Sequence, residues 1–237
     1  MRFVVFNADD FGYGRGINRG ILEAHEHGVV TSATLVVNGP AALEAVAIAK
    51  DHPRLSVGLH VNLTNEAESW FDIENEGLVR EELERQLGRF VELLGRPPAH
   101  IDSHQHVHRA RGRRPLFRAL AKRLGVPLRD ELPVVFKGGF YGQWEYQVFD
   151  PDKVSAGALC RMLRNEIHAG GIYEVSCHPG YLEAGRDLVY HQEREHELRT
   201  LCDPRVRELI ADQGIGLLGY DALPGALERL SRERAAA

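Results

Sequence analysis

Asp9 and Asp10 stand side by side in Asn7-Ala8-Asp9-Asp10-Phe11-Gly12, directly after the apolar run Phe3-Val4-Val5-Phe6. Such a run reads as a buried strand, and Gly12 and Gly14 end it. Two carboxylates at one strand end repel each other, and like charges this close do not both stay ionised without cost. A cation relieves the repulsion, so the chemistry suggested is one carboxylate on a metal with the other as a base beside it. The competing use is an acidic pair capping a helix over residues 15–28.

Three further polar clusters fall at the ends of expected strands: His60 in Gly58-Leu59-His60-Val61-Asn62, the run Asp102-Ser103-His104-Gln105-His106-Val107-His108, and His178 in Cys177-His178-Pro179-Gly180. An extended backbone places Asp102, His104, His106 and His108 on one side. Alternating imidazoles suit zinc and other borderline divalent ions. The strand is expected to end near His104, and a turn there sends His106 and His108 to supporting or substrate-contacting positions. His60 alone reads as a hydrogen-bonded core histidine. With Asp10 and His104 it completes a two-histidine, one-carboxylate site with open positions for water and substrate. Asp9 is then the base. His178, stiffened by Pro179, either faces it as a proton donor or is a plain turn residue.

The elements that must position these groups alternate. Strands are expected over 2–8, 29–37, 55–63, 99–103, 126–128, 173–177 and 215–218. Helices are expected over 15–28, 41–50, 79–94, 115–124, 153–168, 190–200, 204–213 and 221–232. This β–α repetition implies parallel strands with helices outside. That is the pattern of a barrel or an open doubly wound sheet, and seven or eight strands in this length favour a barrel, either regular or incompletely closed, forming a single domain over 1–237. The carboxyl ends of such strands converge on one face, which makes the four clusters one site. No glycine-rich dinucleotide loop follows any strand, against a Rossmann reading. Two long loops carry aromatics, 64–78 with Trp70 and Phe71, and 130–150 with Phe136, Phe140, Tyr141, Trp144 and Tyr146. They are either lids and binding walls or satellite cores.

The 237 residues carry 29 Lys and Arg against 34 Asp and Glu, a net charge of −5. That balance argues against nucleic acid or an anionic membrane as a partner. Cys160, Cys177 and Cys202 are odd in number and widely spaced, which fits a reduced cytoplasmic protein better than a disulfide framework. No secretory signal and no apolar stretch of transmembrane length is visible.

The four clusters, together with Val30-Thr31-Ser32-Ala33-Thr34 and Val37-Asn38-Gly39, occur in the order and context of the YdjC-like carbohydrate deacetylases. The chain resembles that family from residue 2 to about 219. The family includes chitooligosaccharide deacetylases and a branch associated with hopanoid biosynthesis. The resemblance implies a distorted (β/α) barrel and one divalent ion, magnesium or zinc, on Asp10, His60 and His104. It implies Asp9 as base, His178 as the second acid/base group, and Arg129 as a strand-end arginine orienting substrate or base. The substrate is then an N-acetylated sugar, oligosaccharide or glycolipid headgroup, and a homodimer is a further expectation. His106, Tyr141 and Trp144 are expected to contact substrate. The sequence departs most from the family in 64–78 and 130–150, where substrate selection would lie. The alternatives are a metal-dependent phosphoesterase or amidohydrolase barrel, which usually assembles two or more metals, and a non-catalytic sugar- or lipid-binding protein.

Overall fold

The computed structural model describes residues 1–64, 71–183 and 189–235; Trp70 lies outside them. Strands and helices alternate through β1 (Arg2–Phe11), α1 (Arg15–Glu26), β2 (Ser32–Leu35), α2 (Ala42–Asp51), β3 (Ser56–Val61), α3 (Glu76–Leu94) and β4 (Ile101–Ser103). Then come α4 (Arg114–Leu124), β5 (Val134–Lys137), the pair β6 (Gln143–Glu145) and β7 (Val148–Phe149), and α5 (Ala156–Glu166). The chain finishes with β8 (Ile172–Cys177), α6 (Gln192–Leu201), α7 (Pro204–Asp212), β9 (Ile215–Leu217) and α8 (Leu223–Ala235).

Seven strands form one parallel sheet in the order β4-β3-β2-β1-β8-β5, with β9 also pairing β1. The sheet curls into the expected distorted barrel and stays incompletely closed. Leu128 forms one parallel bridge with Ile101 beyond β4, in place of the strand expected over 126–128. Pro127, next to it, has no N–H to offer a ladder. Among the described residues no pairing joins this segment to β5.

β1 shows how the sequence builds the interior. Val4, Phe6 and Ala8 join the large core beneath the helices, while Phe3 and Val5 pack in a smaller core with Leu223, Ala226 and Leu230 of α8. Successive residues of a strand face opposite sides, so Phe3 and Val5 plug the barrel floor and Asn7 and Asp9 follow them upward into a polar interior. That interior, with His100, Asp102, Arg129 and Glu174, is fully buried.

The helix-cap reading of the acidic pair fails. Gly14 is the residue before α1, and the side chain that accepts from its first turn, at the Gly16 N–H, is Glu183 and neither aspartate. The 130–150 segment is not a plain loop either, since it carries β5 and the antiparallel pair β6–β7. No described helix is long and apolar enough to cross a membrane, and the three cysteines are unpaired thiols.

Candidate active site

Adjacent residues of a regular strand cannot both face the same cavity, yet Asp9 and Asp10 do. β1 pairs Ala8 with Ala33 and then Phe11 with Leu35, so three steps on β1 oppose two on β2. Within this bulge Asp10 has φ 67°, a left-handed conformation that aspartate tolerates better than most residues. The turn swings Asp10 back beside Asp9.

Arg129 grips Asp9 with a fork: Nη1 donates to Oδ2 and Nη2 to Oδ1, each at 2.7 Å. Asn7 Nδ2 donates to Oδ1 at 2.9 Å. The same guanidinium donates from Nε to Glu174 Oε1 at 2.7 Å and lies 2.8 Å from Asp102 Oδ2. Burial alone would raise the Asp9 pKa; the Arg129 charge and fork override it and hold the carboxyl well below the usual range. Glu174 moves the other way, because burial outweighs Arg129 there. Below these groups His100 stacks on Tyr220 at 3.7 Å, and burial lowers it to about 3, so it is neutral.

Asp10, His60 and His104 present ligand atoms that all lie within 4.8 Å of one another. Asp10 Oδ1 is 3.4 Å from His60 Nε2 and 3.1 Å from His104 Nδ1. His60 Nδ1 donates to Asp102 Oδ1 at 2.6 Å, the carboxylate–histidine arrangement that fixes a ligand's tautomer and orientation. Burial works against charge on His60, but Asp102, with Asp10 and Asp9, raises it to about 10. His104 Nε2 is buried without a partner. The donor set fits a divalent ion. Two other acidic–histidine groups, Asp9 with His60 and Asp102 and His100 with Asp102 and Glu174, are close enough for a metal. Arg129 already neutralises the carboxylates of both.

The sequence reading missed Arg194. Its Nη2 donates to Asp10 Oδ2 at 2.6 Å and its Nε to the Tyr190 carbonyl at 2.9 Å. Burial would raise Asp10, and Arg194 with His104 lowers it well below the ordinary value. Each member of the acidic pair thus has its own guanidinium. Nothing in the polar sequence of α6 marked Arg194 out from its neighbours.

His178 follows β8 directly and comes within 3.8 Å of Asp9 through Nε2 and within 3.8 Å of Glu197 Oε1 through Nδ1. Burial opposes its charge, but Glu197 and the two aspartates raise its pKa. The 102–108 run does not stay extended. β4 ends at Ser103, and His104–Arg109 form a 3-10 turn with Gln105 at φ 51° and His106 at φ 53°. The strand thus ends beside His104, where it was expected to, and the turn redirects His106 and His108. His104 reaches Asp10, His106 lines the cavity edge-on to Phe136 at 5.5 Å, and His108 turns into the core against Phe117 with Nδ1 2.7 Å from Ser103 Oγ. Burial and the Arg129 charge lower His106 to about 4 and His108 to about 3.

Asp9, Asp10, His60, His104, His106, His178 and Arg194 meet in one cavity of about 460 Å³. Tyr141 and Tyr146 form part of its wall, with Tyr141 stacked on Tyr190 at 4.5 Å. Trp144 does not line it; it stands on β6 at 62% exposure. Arg129 lies beneath Asp9, fully buried, and touches that carboxylate and not the cavity, so it does not reach substrate as expected.

The chain belongs to the family described as YdjC-like protein, whose pattern it matches over residues 3–212. It is 39% identical to a carbohydrate deacetylase of Geobacillus stearothermophilus, over 92% of this chain and 97% of that one. It is 35% identical to a chitooligosaccharide deacetylase of Serratia marcescens over the same shares. A crystal structure from Enterococcus faecalis V583, described as a "putative cellobiose-phosphate cleavage protein", superposes with a TM-score of 0.79 at 27% identity and covers 94% of this chain and 98% of its own. The polysaccharide deacetylase Bc1974 of Bacillus cereus shares the fold, with a TM-score of 0.58 at 15% identity over 93% of this chain and 92% of its own.

Proposed function

We propose that this protein is a metal-dependent carbohydrate deacetylase that hydrolyses the N-acetyl group of an amino sugar to acetate and a free amine. The observation that carries the reading is the pairing of Asp9, gripped by Arg129, with the adjoining Asp10–His60–His104 donor set in one cavity. A binding module needs no ionised carboxylate beside its metal ligands. That one donor set among the described residues is free of Arg129 likewise disfavours the phosphoesterase and amidohydrolase alternatives. Two curated relatives named as carbohydrate and chitooligosaccharide deacetylases support the substrate class.

Asp10, His60 and His104 would hold the ion. When bound, it supplies Lewis acidity, acidifying a water enough for a weak carboxylate base and polarising the acetyl carbonyl. Asp9 accepts the water proton. His178, charged through its carboxylate neighbours, donates a proton to the departing amine. Tyr141, Tyr146 and His106 form the wall against which a pyranose ring packs, and Trp144 serves only a substrate long enough to leave the cavity. Two imidazoles and one carboxylate suit zinc or another borderline ion better than magnesium, which favours oxygen ligands.

The substrate is an N-acetylated oligosaccharide or a sugar headgroup carried on a lipid, including a hopanoid. Free thiols at Cys160, Cys177 and Cys202 accord with a reducing, cytoplasmic setting. The test is an acetate-release screen over N-acetylated oligosaccharides and glycolipids with zinc, magnesium or cobalt supplied. Release that depends on metal supports the reading; binding of acetylated sugar without release under all three metals overturns it.

A further inference from the structure

Three buried charged residues of α6 reach different parts of the site. Glu193 Oε1 accepts from Gln143 Nε2 of β6 at 2.6 Å, Arg194 holds Asp10, and Glu197 sits behind His178. Glu197 is wholly buried and has three contacts. It accepts from the His178 backbone N–H and from the Tyr190 hydroxyl, and Oε1 lies 3.8 Å from His178 Nδ1. The Tyr190 hydroxyl also accepts from the Gly142 N–H at 2.6 Å, and its ring stacks on Tyr141. The Tyr190 ring lies 5.2 Å from His178, and Tyr141 lies 5.7 Å from it.

We propose that Glu197 is a positioning residue for the proton donor: it fixes His178 over Asp9 and through Tyr190 ties it to the substrate wall at Tyr141 and Gly142. This inference rests on the reading of His178 as the acid. Nδ1 of His178 is buried with no hydrogen bond of its own, so the neighbouring carboxylate is what favours a proton there. The charged groups facing His178 are Glu197 from α6 and Asp9 and Asp10 from β1; Tyr190 and Tyr141 face it as neutral rings. The two aspartates are neutralised by Arg129 and Arg194; among the described residues no arginine or lysine forms an ion pair with Glu197, although the Arg194 charge one turn away also acts on it. Glu197 is therefore the carboxylate that distinguishes the His178 pocket. The orientation of the histidine and the placement of the sugar wall share one hub, so a substrate seated against Tyr141 meets an acid already aligned.

The experiment compares wild type, E197Q, Y190F and H178Q, all metal-loaded, by acetate release from N-acetylated chitooligosaccharide across pH 5–10. The acid must be protonated to act. Losing a carboxylate that raises its pKa moves the alkaline limb of kcat to lower pH. E197Q is expected to shift that limb downward by about a pH unit and to lower kcat by about 10- to 100-fold, with KM within about threefold. Y190F should move the same limb by less and raise KM as well, because it releases the wall. A uniform loss in E197Q with the limb unmoved would show Glu197 to be merely structural and overturn the proposal. If E197Q does not fold, an NMR titration of the wild-type His178 ring, assigned by its loss in H178Q, gives the answer: an ordinary or lowered imidazole pKa overturns it. H178Q separates the two layers. An alkaline limb that survives in H178Q sinks the acid assignment itself, whereas its loss in H178Q with E197Q unchanged sinks only the role of Glu197.

Discussion

Arg129 meets Asp9 head-on, two parallel N–H···O bonds of 2.7 Å joining a guanidinium and a carboxylate that are both removed from solvent. A forked pair of this kind fixes the plane of the carboxylate as well as its charge. Arg129 also neutralises Asp102, which orients His60, and Glu174. One side chain from the segment after α4 therefore sets both the proposed base and the support of a proposed metal ligand.

Replacing Arg129 with Met should leave these carboxylates buried without their cation. Breaking a buried ion pair by removing one partner costs about 3–5 kcal/mol, measurable as a lower urea midpoint at unchanged slope. Asp9 and Asp102 have folded pKa values below their unfolded ones. Their contribution to stability is therefore present above the unfolded carboxylate pKa and lost as pH falls below it. In the metal-free protein this acid-side loss should be steeper in wild type than in R129M; equal slopes would contradict the assignment.

Metal should stabilise the fold through Asp10. A ligand that binds only the native state adds about 2.7 kcal/mol at 100 times its dissociation constant. Zinc at that excess should raise the wild-type Tm by several degrees, and chelator should reverse it. D10N keeps a residue tolerant of the left-handed conformation while removing the anionic ligand, and its Tm should respond to zinc far less. An undiminished response in D10N would place the ion elsewhere.

The two aromatics expected from the sequence to touch substrate should separate kinetically. Tyr141 lines the cavity and Trp144 stands outside it on β6. Y141A should raise KM for an N-acetylated disaccharide by roughly tenfold, the scale of one aromatic stacking contact. W144A should leave the disaccharide unaffected and weaken only longer or lipid-carried substrates. Equal effects on the disaccharide would refute this division.

The residues legible in the sequence were those whose position follows from strand periodicity. Asp9, Asp10, His60, His104 and His178 each close or follow an apolar, β-branched segment, so their convergence could be read from the β–α alternation alone. What escaped was set by tertiary contacts. Arg194 and Glu197 lie on α6, whose charged sequence resembles a solvated helix although the helix packs against α1 and α5 and turns these two side chains toward Asp10 and His178. The end of β4 near His104 and the turn after it were legible; the left-handed backbone at Gln105 and His106, which decides where His106 and His108 go, was not. Leu128 gave a single bridge because Pro127 cannot extend a ladder. The β6–β7 pair was hidden in a segment with no regular alternation.

The central claim is that Asp9 and Asp10, neighbours in sequence, divide base and ligand between them, and D9N tests it most directly. With zinc bound per chain measured by elemental analysis and acetate release measured on the same sample, D9N should retain one ion and lose activity by a factor of about 100 or more. Full activity with metal retained would contradict the account.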